Sequence, residues 1–353
     1  RRKNIPKSNG KLRPLGIPVT EDKLLQTAAG DILSAIFEQD FLPESFGYRP
    51  RVGALDAAET LSEQLYRGGY NFVVEADIKG YFNNIDHGWM LEMLRQRIDD
   101  ESFLGLINKW LKAGVLEEDG KVVKQELGTP QGGSISPILA NVSLHYAFDL
   151  WFQKVVTRKM RGKVFFARYA DDFVCLFQLR KDAEEFYEWL PRRLAKFGLE
   201  LSMEKTVITP FSKGAEDRSF DFLGFEFRWR RSRKGRLYMS PRTSLKKMKA
   251  SLRDFRQWCR ASRHLGTAEI FRRVNAKLRG HYNYFGFRYN YDRLYMFFYK
   301  VVLILRKWLN RRSQKRQCSW AKFGKLVKIF GIEKPRIRKK LPPAPLELEF
   351  AFC

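Results

Sequence analysis

Acidic residues nearly vanish from the last third of this chain. Residues 231–353 hold 33 Lys and Arg against 6 Asp and Glu, whereas residues 1–230 hold 33 of each, so the whole formal charge of +27 belongs to the C-terminal segment. An imbalance of that size points to a polyanion, nucleic acid ahead of an acidic membrane surface, with a merely solubilising surface as the blander alternative. Cysteine is scarce too: Cys175, Cys259, Cys318 and Cys353 lie far apart, with no Cys-x-x-Cys and no Cys/His cluster at zinc spacing. This excludes a disulfide scaffold and a zinc module, and it fits a reduced cytoplasmic setting. The four histidines (His87, His145, His264, His281) are scattered, so no Cys/His-rich nuclease module is expected. Long apolar runs are missing as well. The longest, Leu294 to Leu305, is interrupted by Lys300 and is too short to span a bilayer, and no signal peptide is visible. The chain opens on Arg1-Arg2-Lys3 without an initiator Met, and further sequence is expected upstream.

What is present is ample apolar material. With 353 residues and 44% hydrophobic content, the chain builds one large or two to three ordinary domains with real cores. Residues 5–18 read as a β-hairpin turning at Asn9-Gly10. A helix follows, capped by Thr20, with Leu24, Ala28, Ile32 and Ile36 as its apolar stripe. Gly68-Gly69 ends a second helix running from about Val52 to Tyr66. Helices are also expected from Ser136-Pro137 through Trp151 and from Asp182 to Phe197, and, beyond Pro241, over residues 244–262, 267–285, 292–312 and 319–330. The composition shift near Arg231 marks the expected domain boundary, and Pro342-Pro343-Ala344-Pro345 opens an extended tail.

Carboxylates occur where strands should be apolar. Residues 165–177 form two apolar β-runs around a tight turn holding Asp171-Asp172, and Asp77 stands at the exit of the run Tyr70 to Ile78. Either could be a turn or cap residue, since Asp tolerates turn geometry. A carboxylate at the end of an apolar strand is nonetheless costly unless it meets a cation. Several carboxylates on neighbouring strand ends, beside the Gly132-Gly133 loop, are what a pair of Mg²⁺ ions needs for in-line phosphoryl transfer, because Mg²⁺ prefers hard oxygen ligands.

Seven stretches in order resemble the reverse transcriptases of bacterial group II introns, the intron-encoded maturases. They are residues 11–18 (Lys11 to Pro18), Ser45-Phe46-Gly47-Tyr48-Arg49-Pro50, Ala76 to Phe82, Gly128 to Pro137, Arg168-Tyr169-Ala170-Asp171-Asp172, Gly198 to Thr206, and Phe222-Leu223-Gly224-Phe225. Leu278 to Phe285 looks like a thumb helix of the same family, so the resemblance covers essentially the whole chain.

The resemblance implies an α+β right-hand polymerase. Fingers would occupy residues 1–71, the first part of the palm 72–92, a helical segment 93–127 and the second part of the palm 128–230. A basic helical thumb (maturase or X domain) would follow at 231–341, and a tail at 342–353. It further implies that Asp77, Asp171 and Asp172 are catalytic and hold two Mg²⁺ (or Mn²⁺) ions with help from the Ile78 carbonyl. The dNTP would be met by Lys7, Arg13, Lys79, the amides of Gly80 and Tyr81, and Gln131. Phe82 matches the aromatic that excludes a 2′-hydroxyl, and Lys205 matches a general acid for pyrophosphate. Phe222, Leu223, Gly224 and Phe225 match the primer grip, while Arg49, Arg279, His281, Tyr282, Arg311 and Arg312 are the expected nucleic-acid contacts.

The implied activity is RNA-directed DNA synthesis on an RNA template from a DNA or RNA primer, joined to binding of group II intron RNA, in a bacterial cytoplasm. The chief rival is a splicing maturase without polymerase activity. A related enzyme of a CRISPR-type defence locus shares the motifs, and a nucleotide cyclase on a similar palm leaves the basic segment unexplained.

Overall fold

The computed structural model describes residues 2–6, 12–116, 122–123, 127–129, 132–312 and 318–337, with backbone alone for 2–6, 12–15, 115–116 and 122–123. Lys7, Gln131, the Asn9-Gly10 turn and the Pro-rich tail lie outside the described residues, and Arg13 is described by its backbone only.

Two compact units divide the chain, Arg1–Ser240 and Pro241–Cys353. The first begins with the antiparallel hairpin of β1 (Arg2–Pro6) and β2 (Leu12–Gly16), then α1 (Thr20–Phe37) and α2 (Ala54–Gly68). Strand β3 (Phe72–Asp77) leads through a 3-10 turn (Tyr81–Asn83) into α3 (His87–Arg95) and α4 (Glu101–Leu111). A short ribbon of β4 (Val115–Leu116) and β5 (Val122–Val123) precedes α5 (Ser136–Leu144). This helix continues through two π-helical stretches, His145–Asp149 and Phe152–Val156, to end in α6 (Thr157–Lys159). Then come β6 (Val164–Tyr169), β7 (Asp172–Phe177), α7 (Arg180–Ala195) and β8 (Val207–Pro210).

The central sheet has strand order β6-β7-β3-β8, antiparallel throughout. Phe173 to Phe177 are all buried, because β7 is an inner strand covered on both faces. Around it Phe148, Phe152, Phe166, Phe173, Phe177 and Phe186 form one aromatic cluster, with Phe148 and Phe173 centroids 4.4 Å apart. Each such ring contributes about 1.5–3 kcal/mol by leaving water, so the sheet is anchored well behind its polar end.

Helix α1 departs from expectation. Leu24 and Ile32 are 69% and 52% exposed, and the buried face is Gln26, Ala29, Gly30, Leu33 and Phe37. Apolar residues occupy both sides of this helix, so periodicity alone could not choose the inner one. Thr20 is also its first turn rather than its cap, which is Val19.

Past β8, strand β9 (Ser219–Phe222) turns into β10 (Phe225–Arg231), which pairs onward with β11 (Leu237–Met239) in the register Trp229↔Met239 and Arg231↔Leu237. The first unit ends at Ser240 and so includes β11, past the composition shift near Arg231. The second unit consists of the amphipathic helices α8 (Leu245–Ala261), α9 (Thr267–Phe285), α10 (Tyr291–Asn310) and α11 (Trp320–Phe330). Their buried faces meet through Leu252, Phe255, Phe271, Leu278, Phe297 and Leu305. Ser244 and Ser319 cap α8 and α11 by accepting from the amides of Lys247 and Lys322. No described helix is long and apolar enough to cross a membrane.

Candidate active site and nucleic-acid surface

Antiparallel registry brings the three aspartates to one end of the sheet. Asp77, the last residue of β3, stands opposite Asp172, the first of β7, and Asp172 also faces Tyr169 across the two-residue turn Ala170-Asp171. Ala170 adopts the left-handed region (φ 57°), uncommon for a residue with a Cβ. Asp172 touches solvent yet has protein on most sides, as a residue in a concave site does. Desolvation first, then the charges of Asp171 and Asp77, raise its carboxyl to about 6, with Lys205 acting in the opposite direction.

Lys205 donates from Nζ to Asp77 Oδ2 at 2.6 Å, and this bond is the largest cause raising the lysine's pKa. The backbone fixes that meeting. Ser202 N donates to the Asp77 carbonyl and Lys79 N to the Glu200 carbonyl, each at 2.8 Å, while Ile78 bridges to Leu201. Among the described residues no three His, Cys, Asp or Glu side chains converge closely enough to hold a metal ion, the Asp77 carboxylate being drawn to Lys205. The donor set nonetheless fits a divalent cation: hard carboxylate oxygens on adjacent strand ends, whose mutual repulsion a bound cation would relieve.

Around this centre lie the residues expected at the nucleotide. Lys79 is exposed and paired with Glu200 (3.3 Å), and Gly80 takes a left-handed conformation. Tyr81 points into the core, its hydroxyl donating to the Ala140 carbonyl at 2.7 Å, so its side chain is structural and its backbone is what the turn presents. Phe82 is half-buried, with the Tyr48 ring edge-on at 6.4 Å. The glycine loop docks beneath it: Thr129 N donates to the Phe82 carbonyl (2.8 Å) and Gly128 N to the Ile85 carbonyl (2.7 Å). Beyond the sheet, the Leu223-Gly224 turn has φ values of 53° and 78°, the pattern of a type I′ hairpin. Phe222 and Phe225 are core residues, so only the tip of the expected primer grip faces outward.

Most of the six expected nucleic-acid contacts are committed elsewhere. Arg49 grips Glu38 at 2.6 Å and donates to the carbonyls of Leu42 and Ser45 at 2.7 Å, bracing the loop after α1. Tyr282 is buried, and its hydroxyl donates to the Glu333 carbonyl at 3.1 Å. His281 stacks on Phe297 at 3.7 Å and is lowered to about 4, chiefly by burial. Arg279 pairs with Glu333, and Arg312 bonds Thr267 and the Leu265 carbonyl. Arg311 is exposed beside the Trp308 ring, and Arg279 is exposed too but held by Glu333.

Another row of exposed cations lies on the second unit. Lys249, Arg253, Arg256 and Arg260 on α8 and Arg263 just past it follow a four- and three-residue spacing, with Arg253 paired to Asp254, and Lys300 and Lys307 on α10 and Arg311 at its end lie beside them. The concavity at one end of this stripe has a volume of about 1530 Å³, and no carboxylate among the described residues lines it. This stripe is readable in the sequence as cations at helical spacing on α8, apart from the motif at Leu278 to Phe285 on α9.

The model of the family described as Reverse transcriptase (RNA-dependent DNA polymerase) matches residues 5–227. The chain is a member of the reverse transcriptase family. Its curated relatives include the group II intron-encoded protein LtrA of Lactococcus lactis subsp. cremoris, 31% identical over 384 aligned positions that cover 85% of this chain and 62% of LtrA. Protein YkfC of Escherichia coli is 34% identical, covering 67% of this chain and 68% of YkfC. This reverse transcriptase thus has the group II intron kinship that its motifs suggest, and it spans about 62% of the length of LtrA. Among solved structures, the telomerase of Candida albicans with a TWJ fragment of telomeric RNA has a TM-score of 0.54 at 15% identity, covering 94% of this chain and 62% of the telomerase. Apo telomerase from Candida Tropicalis has a TM-score of 0.52 at 12% identity. The fold is the α+β right-hand polymerase fold.

Proposed function

We propose that this reverse transcriptase is an active RNA-directed DNA polymerase that extends a DNA or RNA primer on an RNA template, and that its second unit binds group II intron RNA in a bacterial cytoplasm. The observation that carries the first half is the registry of Asp77 against Asp172 with Asp171 in the adjoining turn, with Lys205 paired to Asp77. Two Mg²⁺ ions held by Asp77, Asp171, Asp172 and the Ile78 carbonyl would supply charge neutralisation at the attacking 3′-hydroxyl and the departing pyrophosphate.

The chain's own groups do the rest. Phe82, backed by Tyr48, stands as a wall against a 2′-hydroxyl. Gly80 and Tyr81 offer backbone amides to phosphate, and Lys7, Arg13, Lys79 and Gln131 complete the dNTP contacts in this proposal. Lys205 holds a proton at Nζ well placed for an oxygen leaving from the aspartate end. The Leu223-Gly224 tip steadies the primer terminus. Incubating the chain with a primed RNA template, dNTPs and Mg²⁺ tests this: primer extension is expected, and its absence with intact RNA binding counts against it.

A splicing maturase without synthesis is the second reading, favoured by the exposed cation stripe of α8 and α10, which would bind RNA whether or not the aspartates work. Splicing of the flanking intron with and without protein measures that role separately.

A further inference from the structure

One charged side chain of the first unit is wholly buried and stands next to the aspartate turn. Arg168 is 0% exposed, and so is its partner Asp149, the last residue of the first π-helical stretch. A guanidinium has five N–H donors, and here each one is used. Nε donates to Asp149 Oδ1 at 2.7 Å, and Nη2 donates to Asp149 Oδ2 and Ser45 Oγ, both at 2.6 Å. Nη1 donates to Asn141 Oδ1 and to the Ala170 carbonyl, both at 3.1 Å. The acceptors come from four separate segments: the loop after α1, helix α5, the π stretch, and the turn that carries Asp171.

Two of those segments also touch directly. Phe46 N donates to the Arg168 carbonyl at 2.8 Å, Arg168 N donates to the Glu44 carbonyl at 2.9 Å, and Asn141 Nδ2 donates to the Gly47 carbonyl at 2.5 Å. Gly47 lies so close to the turn that a Cβ there would stand 2.2 Å from Ala170 N, which only glycine permits. The residues on either side of this contact, Tyr48 and Ala170, both have φ of 57°, a conformation that persists only where surroundings impose it. Tyr48 in turn backs Phe82.

We propose that Arg168 is a positioning residue of the polymerase site, which ties the Ala170-Asp171 turn to the Ser45–Tyr48 loop and so sets the aspartates and the Phe82 wall as one unit. The inference rests on the polymerase reading for its functional consequence, but the coupling itself does not. A buried ion pair adds little stability compared with apolar packing, so what this one contributes is geometry. Lysine, with three donors at a single point, cannot span the same five acceptors.

The test compares Arg168→Lys, Asn141→Ala and a control, Leu104→Ala, which opens a cavity on α4, a helix that supplies none of the five acceptors. The first readout is the ratio of dNTP to rNTP incorporation in single turnovers, which does not depend on how much protein is folded. Arg168→Lys is expected to lower that ratio roughly tenfold, the scale of a small misplacement of reacting groups, and Asn141→Ala to lower it less. Leu104→Ala is expected to leave it unchanged. The second readout, hydrogen exchange of peptides spanning residues 44–48 and 169–172, needs no activity. Both peptides are expected to exchange faster together in Arg168→Lys, while those of β3 and β8 stay protected. An unchanged ratio in an active Arg168→Lys, or loosening of only one of the two peptides, overturns the proposal. If the wild type incorporates no nucleotide, the polymerase reading fails and the exchange measurement still decides the coupling.

Discussion

Phe82 shows how a single side chain can be given a task by its neighbours. With Tyr48 behind it and the glycine loop bonded to its carbonyl, its ring has little room to yield. Phe82→Ala is expected to raise relative ribonucleotide incorporation by roughly tenfold or more, a steric discrimination of ordinary size, and unchanged selectivity in single-turnover assays removes the sugar-wall role. Titration belongs to this scale as well. Burial, then the charge of Asp221, raises Glu75 to about 7, above its value in an unfolded chain. Between about pH 4.5 and 7 the folded chain therefore keeps a proton that the unfolded chain has lost, and this contribution to stability disappears as pH rises through that window. His281, lowered to about 4, acts with the opposite sign below about pH 6.5, so the comparison must be between variants. Glu75→Gln is expected to melt above wild type by a margin that widens from about pH 5 to about pH 8, and an equal margin at both ends contradicts the assignment. Asp77, Asp171 and Asp172 were legible in the sequence because carboxylates are anomalous in apolar strands. Arg168 carried the same kind of anomaly, but its partner Asp149 lies in another element, and no spacing rule links a strand to a π turn.

Helices were legible in their existence and less so in their orientation. The inner face of α1 was misjudged because Leu24 and Ile32 compete with Leu33 and Phe37, and only the packing partners decide. In α9 the sequence motif is right and its use is different: Tyr282 and Phe285 serve the core, and His281 is stacked on α10. The stripe on α8 has no such competing demand. Replacing Arg256 and Arg260 by Ala is expected to weaken binding of structured RNA and to reduce the slope of log K against log[salt] by about 1 per cation removed. Arg49→Ala, by contrast, is expected to lower the melting temperature through loss of the Glu38 brace while leaving the salt slope alone. Fluorescence anisotropy across a salt series distinguishes the two, and an unaltered slope for the α8 variant removes the stripe from the binding surface. Phe148, fully buried between Phe166 and Phe173, belongs to the same scale: truncation to Ala is expected to cost about 3–5 kcal/mol in denaturant titrations, and a cost under about 1 kcal/mol contradicts its place at the centre of the cluster.

At the scale of the whole molecule, composition separates a charge-balanced part from a basic one near Arg231, and the chain folds as two compact units that meet in sequence at Ser240. Family membership follows from residues 5–227, and the relation to LtrA extends over 85% of the chain. The central claim is that the aspartates work as a polymerase site and the basic unit as an independent RNA grip. The most direct measurement is single-turnover nucleotide incorporation on a primed RNA template by wild type and by the Asp171→Ala, Asp172→Ala double variant, each at an RNA concentration that saturates the protein. The account predicts incorporation by wild type, none by the double variant, and equal RNA affinity for both; synthesis retained by the double variant would contradict it.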